Sequence, residues 1–337
     1  MQRYQIPDPA FQGLNLANNT LVRGLPSWMG TSLPEDHVYP AELDYQRFRD
    51  AYARYLGLPG PSWVLPCAGA LGGLDIVIRF WKSQVPSSFV PIAVIQDGAY
   101  PPMVDLIRQS GYASFEEWTY HLDETEWQYA FVASPHNPLG TIVRESELVA
   151  MGKFGAKGIC IDGAYRDYYL GRGDLPALFT SFPRVVIIRS ASKIGLAGLR
   201  AGVIVAGPEV LEQMERLVPV PMFAVPARGL VLGYRLLGTD EGRRWLEETV
   251  RRVREHRWVL RAEMSRVGKV VSTDTANFVT VETEDPEKLE KWFREQGIQV
   301  RVLINRVRQY PNLVRITVPE QASDMEYVLE RLGRYEE

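Results

Sequence analysis

The chain has 337 residues, with 38 Lys and Arg against 41 Asp and Glu, a net charge of −3 and a pI near 6.0, which leaves no electrostatic footprint for nucleic acid or an anionic membrane surface. Hydrophobic and charged shares of 46% and 23% are those of an ordered globular protein and exclude a disordered or fibrous chain. The length exceeds the ~250 to 300 residues that one core organises, so two domains are expected.

Residues 1–40 are rich in Pro, Asn and Gly with little periodicity, and predict an extended arm. Pro7 and Pro9 interrupt the opening where a secretory signal needs an unbroken apolar stretch, and no run of ~18 apolar residues occurs, so neither export nor a membrane span is expected. Cys67 and Cys160 are the only cysteines; they cannot build a disulfide framework or a multi-thiolate metal site, and a reducing cytoplasm is the simplest home. The glycosylation triplet Asn18-Asn19-Thr20 then carries no weight.

From Ala41 to Leu56 the apolar residues Leu43, Phe48, Ala51, Tyr52 and Tyr55 recur at helical spacing until Gly57 and Pro59 stop the segment. Strand-like and helix-like stretches then alternate through Trp63–Leu65, Leu71–Trp81, Pro91–Ile95, Met103–Gln109, Tyr129–Ala133, Glu145–Phe154, Gly158–Ile161 and Val185–Ile188. Such alternation predicts an α/β fold with a mostly parallel sheet covered by helices. Thr239 to Arg266 predicts a charged helix with Trp245, Leu246, Val250, Val253 and Val259 on its buried face. Beyond it, Phe278–Val281, Pro286–Gln296, Ile298–Ile304, Leu313–Val318 and Ala322–Leu332 predict a small α+β unit. The expected organisation is an arm over 1–40, a large domain over 41–240 and a small C-terminal domain over 241–337.

The short runs AFVAS, GICID and RVVIIRS have the character of strands buried on both faces, and ligands of open α/β sheets bind just beyond the carboxyl ends of such strands. After the third run comes Ser190-Ala191-Ser192-Lys193-Ile194-Gly195, followed by Arg200. Hydroxyls, backbone-exposing glycines and a nearby guanidinium make an anion-binding environment, and a neighbouring cation lowers an ammonium pKa toward the nucleophilic amine. After the first run, Pro135 and Pro138 freeze a turn that presents Asn137. Asp162 ends the second run, where a buried carboxylate calls for a cation or several donors. Each has an ordinary explanation: a solvated lysine, a turn brace, a helix cap. All three together, each after a buried strand, are hard to explain that way.

These segments, with Asn19 in LNLANNT, Tyr39-Pro40, CAGALGG, GAYPP, SPHNPLG, IDGAY, GLAGLR, GIQVR and NLVRITV, resemble fold type I of the pyridoxal-phosphate enzymes, the aspartate-aminotransferase superfamily, and within it the histidinol-phosphate aminotransferase group. The resemblance runs along nearly the whole chain. It implies a three-layer fold with a mostly parallel central sheet, pyridoxal 5′-phosphate as cofactor, and transfer of an amino group from a small-molecule donor to a 2-oxo acid. Lys193 would hold the cofactor as a Schiff base and shuttle a proton, Asp162 would pair with the pyridine nitrogen, and Tyr165 and Asn137 would bond the phenolic oxygen. Tyr100 would stack on the ring. Backbone amides of Gly69, Ala70 and Leu71 at a helix start would cradle the phosphate together with Ser190, Ser192 and Arg200. Tyr39 would reach across from a second subunit, making a homodimer with shared active sites. Asn19, Arg301 and Arg315 fall at substrate-binding positions, Arg315 gripping a carboxylate or phosphate and Arg301 a substrate phosphate. The chain departs from the pattern in two respects: only Ile194 separates Lys193 from Gly195, where the family has two residues, and the cradle turn lacks the side-chain donors often found there, Ala70 and Leu71 offering only their backbone.

Competing readings are weaker. The glycine-rich segments lack the dinucleotide-binding G-x-G-x-x-G after the first strand, no P-loop occurs, and His37, His121, His136 and His256 form no ligand pair at helical spacing. A non-enzymatic descendant of the fold is disfavoured by the retained lysine and cofactor anchors. Among substrates, aromatic amino acids and decarboxylation of phosphothreonine stand as alternatives to histidinol phosphate.

Overall fold

The computed structural model describes residues 11–21, 26, 29–30, 39–117, 128–153, 155–169, 175–217 and 225–335; most of the expected arm, with His37, and also His121 lie outside them. In chain order come β1 (Leu14–Asn15), α1 (Glu42–Leu56), β2 (Val64–Ala68), α2 (Gly69–Ser83), β3 (Ile92–Gln96), α3 (Pro101–Gln109), β4 (Ala113–Glu117) and β5 (Gln128–Ala133). They are followed by α4 (Glu145–Lys153), β6 (Gly158–Asp162), α5 (Leu175–Ser181), β7 (Val185–Ser190), β8 (Ala201–Val205), α6 (Pro208–Leu217) and α7 (Ala227–Gly238). The remainder is α8 (Asp240–Met264), β9 (Lys269–Val270), β10 (Phe278–Glu282), α9 (Pro286–Glu295), β11 (Ile298–Gln299), β12 (Arg301–Val307), β13 (Tyr310–Thr317) and α10 (Ala322–Leu332).

Seven strands form one sheet in the order β2-β8-β7-β6-β5-β3-β4. β7, β6, β5, β3 and β4 run parallel, while β8 is antiparallel to both its neighbours. Alternate residues feed two separate cores: Ala130, Val132, Ile159, Ile161, Val185 and Ile187 pack on one side, and Tyr129, Phe131, Cys160, Val186 and Ile188 on the other. Burial on both faces explains why these strands are apolar without polar alternation. The register Ala133↔Asp162 and Asp162↔Ile188 brings the carboxyl ends of β5, β6 and β7 side by side. Asn137, Asp162 and Lys193 therefore leave three adjacent strands at one edge, as the sheet rule requires.

A second, antiparallel sheet has the order β12-β13-β10-β9, and a parallel pair joins β1 to β11 with Leu14 opposite Ile298. The described part of the arm is stitched down rather than loose: Thr317 N donates to Leu16 O at 2.8 Å, and Leu16, Ala17 and Asn19 are buried.

Several expectations need correction. On α8 the buried positions are Gly242, Leu246, Thr249, Val253, Arg257, Leu260 and Met264, and Val259 is instead exposed, because the inward stripe falls one residue later in that turn. Leu43 on α1 is also exposed, one turn before the buried Tyr45 and Phe48. Trp63 closes a 3-10 turn rather than opening β2, and Val300 separates β11 from β12 where one strand was expected. Strands β4 and β8 and helices α5, α6 and α7 escaped the periodicity reading altogether.

Candidate active site

A cleft of about 1550 Å³ opens above the carboxyl ends of the parallel strands and is walled on its far side by β12. Of the residues singled out from sequence, Ala70, Leu71, Tyr100, Asn137, Asp162, Tyr165, Ser190, Ser192, Lys193, Arg200, Arg301 and Arg315 all line it. Asn19 is fully buried and does not line the cleft, although its neighbours Asn18 and Thr20 do. Tyr39 does not line the cleft and is 80% exposed.

Lys193 ends the 3-10 turn Ala191–Lys193 that follows β7 directly. Its Nζ donates to Asn18 O at 3.3 Å and sits 5.2 Å from the centre of the Tyr165 ring. Asp162, at the tip of β6, is close enough to feel the Lys193 charge. Burial pushes its carboxyl above the ordinary carboxylate range, while the Ala164 amide, donating to Oδ1 at 3.0 Å, and Lys193 draw it back. An acid held this way gains most from a cation brought against it.

Asn137, Tyr165, Asn19 and Arg315 form one hydrogen-bonded group. The Tyr165 hydroxyl accepts from Asn137 Nδ2 at 3.3 Å and from Asn19 Nδ2 at 3.2 Å. Arg315 donates to Asn137 Oδ1 at 2.6 Å and to Ala17 O at 2.7 Å, which fixes the amide orientation of Asn137 because a guanidinium has no acceptor. Asn19 adopts a left-handed backbone at φ 53°, and its amide N–H donates to Thr317 Oγ1 at 2.9 Å. With both lone pairs of the Tyr165 hydroxyl engaged by these two amides, its own proton is available to donate.

The N-terminus of α2 brings Ala70 and Leu71 to the cleft. No side chain caps this helix, so its first amides and its positive dipole end are available to an anion there. Ser190 Oγ donates to Ser192 Oγ at 2.8 Å nearby. Arg200, itself left-handed at φ 53°, donates to Ala68 O at 3.2 Å and lies against Gly69. Gly69 has φ +69°, and a Cβ there would stand 2.5 Å from Arg200 Nη2, so only glycine lets the guanidinium close on the helix end. The loop shortened after Lys193 thus still delivers Arg200 to the helix start, with Gly195 at φ 105° absorbing the tighter path.

Beneath the site lies a buried group that sequence reasoning missed. Arg189 and Asp167 pair at 2.5 Å, Tyr55 donates to Asp167 Oδ1 at 2.8 Å, and the Tyr168 hydroxyl donates to Lys193 O at 2.6 Å. One signal was available: Arg189 interrupts the otherwise apolar run RVVIIRS, and a charge inside a doubly buried strand requires a buried partner.

The donor set fits pyridoxal 5′-phosphate. The uncapped helix, the serines and Arg200 suit a phosphate, the half-buried Asp162 suits a protonated ring nitrogen, and Lys193 suits attachment to an aldehyde.

Comparison with known proteins agrees. The chain is 27% identical over 293 residues, 81% of its own length and 75% of the relative's, to the histidinol-phosphate aminotransferase of Pseudoalteromonas atlantica. Its fold matches that of histidinol-phosphate aminotransferase from Sinorhizobium meliloti in complex with pyridoxal-5′-phosphate, with a TM-score of 0.74, 19% identity and coverage of 96% and 91% of the two chains. It matches equally that of YbdL from Escherichia coli, whose reported function is methionine aminotransferase, at TM-score 0.77, 17% identity and coverage of 96% and 94%. The family model for aminotransferase class I and II spans residues 37–332, and the chain belongs to that family of pyridoxal-phosphate-dependent transferases.

Proposed function

We propose that the protein is a histidinol-phosphate aminotransferase, moving an amino group from a phosphorylated amine to a 2-oxo acid such as 2-oxoglutarate. One observation carries the substrate reading. Arg301 and Arg315 stand directly opposite each other on β12 and β13, and both line the cleft. Like charges facing across a strand pair repel, and a doubly charged anion such as a phosphate is the complement that relieves them.

Bound pyridoxal 5′-phosphate supplies an electrophilic carbonyl and a ring that withdraws electrons. Gly69, Ala70, Leu71, Ser190, Ser192 and Arg200 would hold its phosphate, Asp162 its ring nitrogen, and Tyr100 its face. Lys193 Nζ takes the proton leaving the donor's α-carbon and later returns one, acting as general base and then general acid. The Tyr165 hydroxyl proton, freed by the amides of Asn137 and Asn19, donates into the cleft and keeps negative charge localised there. Arg315 and Arg301 orient the substrate anion.

Three further elements belong to this reading. The arm 1–40, a large domain 41–240 and a small domain 241–337 are its units, with the cleft between the two sheets. The exposed Tyr39 reaches a partner's site in a homodimer. The enzyme works in the cytoplasm; among the described residues no helix is long and apolar enough to cross a membrane. Mixing the purified holoenzyme with histidinol phosphate and following the cofactor's absorbance tests the assignment. Conversion that 2-oxoglutarate reverses is the expected result, and no conversion with any amine would sink it.

A further inference from the structure

We propose that Tyr168 is a positioning residue for Lys193: its hydroxyl, by donating to the Lys193 carbonyl, fixes the point from which the catalytic amine reaches into the cleft. The inference rests on the reading of Lys193 as the residue that attaches the cofactor.

Two short segments leave neighbouring strands side by side, 162–168 after β6 and 188–193 at the end of β7. They are joined at three successive points. Gly163 N donates to Ile188 O at 2.8 Å, Asp167 pairs with Arg189 at 2.5 Å, and the Tyr168 hydroxyl donates to Lys193 O at 2.6 Å. The first two hold the root of the lysine turn. Only the third touches the lysine itself.

The turn needs that third point. Ile194 N and Leu196 N both donate to Ala191 O, so the turn's own hydrogen bonds converge on one carbonyl and do not engage that of Lys193. Tyr168 is 1% exposed, and its ring is packed in the main core. A buried phenol always needs a partner, and that ordinary requirement accounts for the existence of a bond. It does not account for the choice of acceptor, which ties the segment carrying Asp162 and Tyr165 to the residue whose amine must work beside them. A lysine side chain is long and flexible, so where its Cα is anchored decides how much of its time Nζ spends at the reacting position. A displacement of ~1 Å costs about 10²-fold in rate at such a site.

The test is the rate at which the Lys193 amine attaches to added pyridoxal 5′-phosphate in the full-length protein stripped of cofactor, followed by visible absorbance. Attachment joins the amine nitrogen to the aldehyde carbon and releases one water. Pyridoxine 5′-phosphate, which has the same phosphate and ring but no aldehyde, reports non-covalent binding through tryptophan fluorescence. In Tyr168→Phe the attachment rate is expected to fall about tenfold or more, with the pyridoxine 5′-phosphate Kd within twofold of wild type. Turnover should show a lowered kcat at nearly unchanged KM. Tyr55→Phe removes another buried hydroxyl, the one on Asp167, and should lower thermal stability without slowing attachment tenfold. Equal attachment rates in wild type and Tyr168→Phe, with only melting temperature changed, would overturn the inference. No attachment in wild type either would overturn the proposed function and the inference with it. Tyr168→Met, which also lacks a donor and packs adaptably, gives the same comparison should the phenylalanine variant not fold.

Discussion

The two walls of the cleft are built differently. The floor, at the tips of β5, β6 and β7, is over-determined: the side chains of Asn137 and Tyr165, the Asp162 carbonyl and Lys193 each take part in hydrogen bonds with residues far away in sequence, and the buried Arg189–Asp167 pair ties the same segments together. The opposite wall, β12, has a register shift between Ile304 and Val307, a left-handed Asn305 and side chains that are half-buried along most of its length. Groups that do chemistry must be held to fractions of an ångström, whereas groups that choose a substrate act over a wider range. The rigid floor therefore suits a reaction and the irregular wall suits a choice of substrate.

Substitutions on each side sharpen the contrast. Lys193→Ala has the largest expected effect, a fall in kcat of about 10⁴-fold, because it removes the proton carrier while leaving the phosphate cradle; steady-state turnover measures it. Asp162→Asn should lower kcat about 10²- to 10³-fold by removing the charge beneath the ring. It should also raise the melting temperature of the cofactor-free protein near neutral pH. The carboxyl pKa is raised in the folded state, so folding loses stability as pH climbs from the unfolded to the folded value, and the neutral amide escapes that loss. Arg301→Ala, on the wall, should raise KM for a phosphorylated amine roughly tenfold, the scale of one charge-assisted contact, with kcat little changed. A kcat loss from Arg301→Ala as large as that from Asp162→Asn would break the contrast.

The last effect, on stability rather than on turnover, concerns the floor's support. His136 is fully buried with Nε2 3.0 Å from Asp97 O, and burial depresses its pKa to about 4. A depressed histidine contributes stability above its unfolded pKa near 6.5, and that stability drains as pH falls toward the folded value. Denaturation at a series of pH values should show a loss of about 1.4 kcal/mol per unit across this window. His136→Gln should flatten the slope.

How much of this was legible in the sequence follows the same division. Strands β5, β6 and β7 announce themselves because burial on both faces leaves mostly apolar residues, and the candidate residues Asn137, Asp162 and Lys193, expected just beyond their ends, do line one cleft. The position of β4, with its alternating polar residues, depends on pairing with a distant strand, which local periodicity cannot report, and the apolar run of β8 is masked by the glycine-rich segment that leads into it. Arg189, Asp167 and Tyr168 escaped for a related reason: their roles are pairings between separate segments, and only the bare charge of Arg189 within an apolar run hinted at one.

Attachment of the cofactor to Lys193 is the claim on which the rest stands, and it can be measured in one step. The purified protein is mixed with pyridoxal 5′-phosphate, reduced with borohydride, digested, and mapped by mass spectrometry. A single label on the peptide containing Ser190 to Arg200, at Lys193, is the predicted result. A label spread over surface lysines, or none at Lys193, would contradict the account.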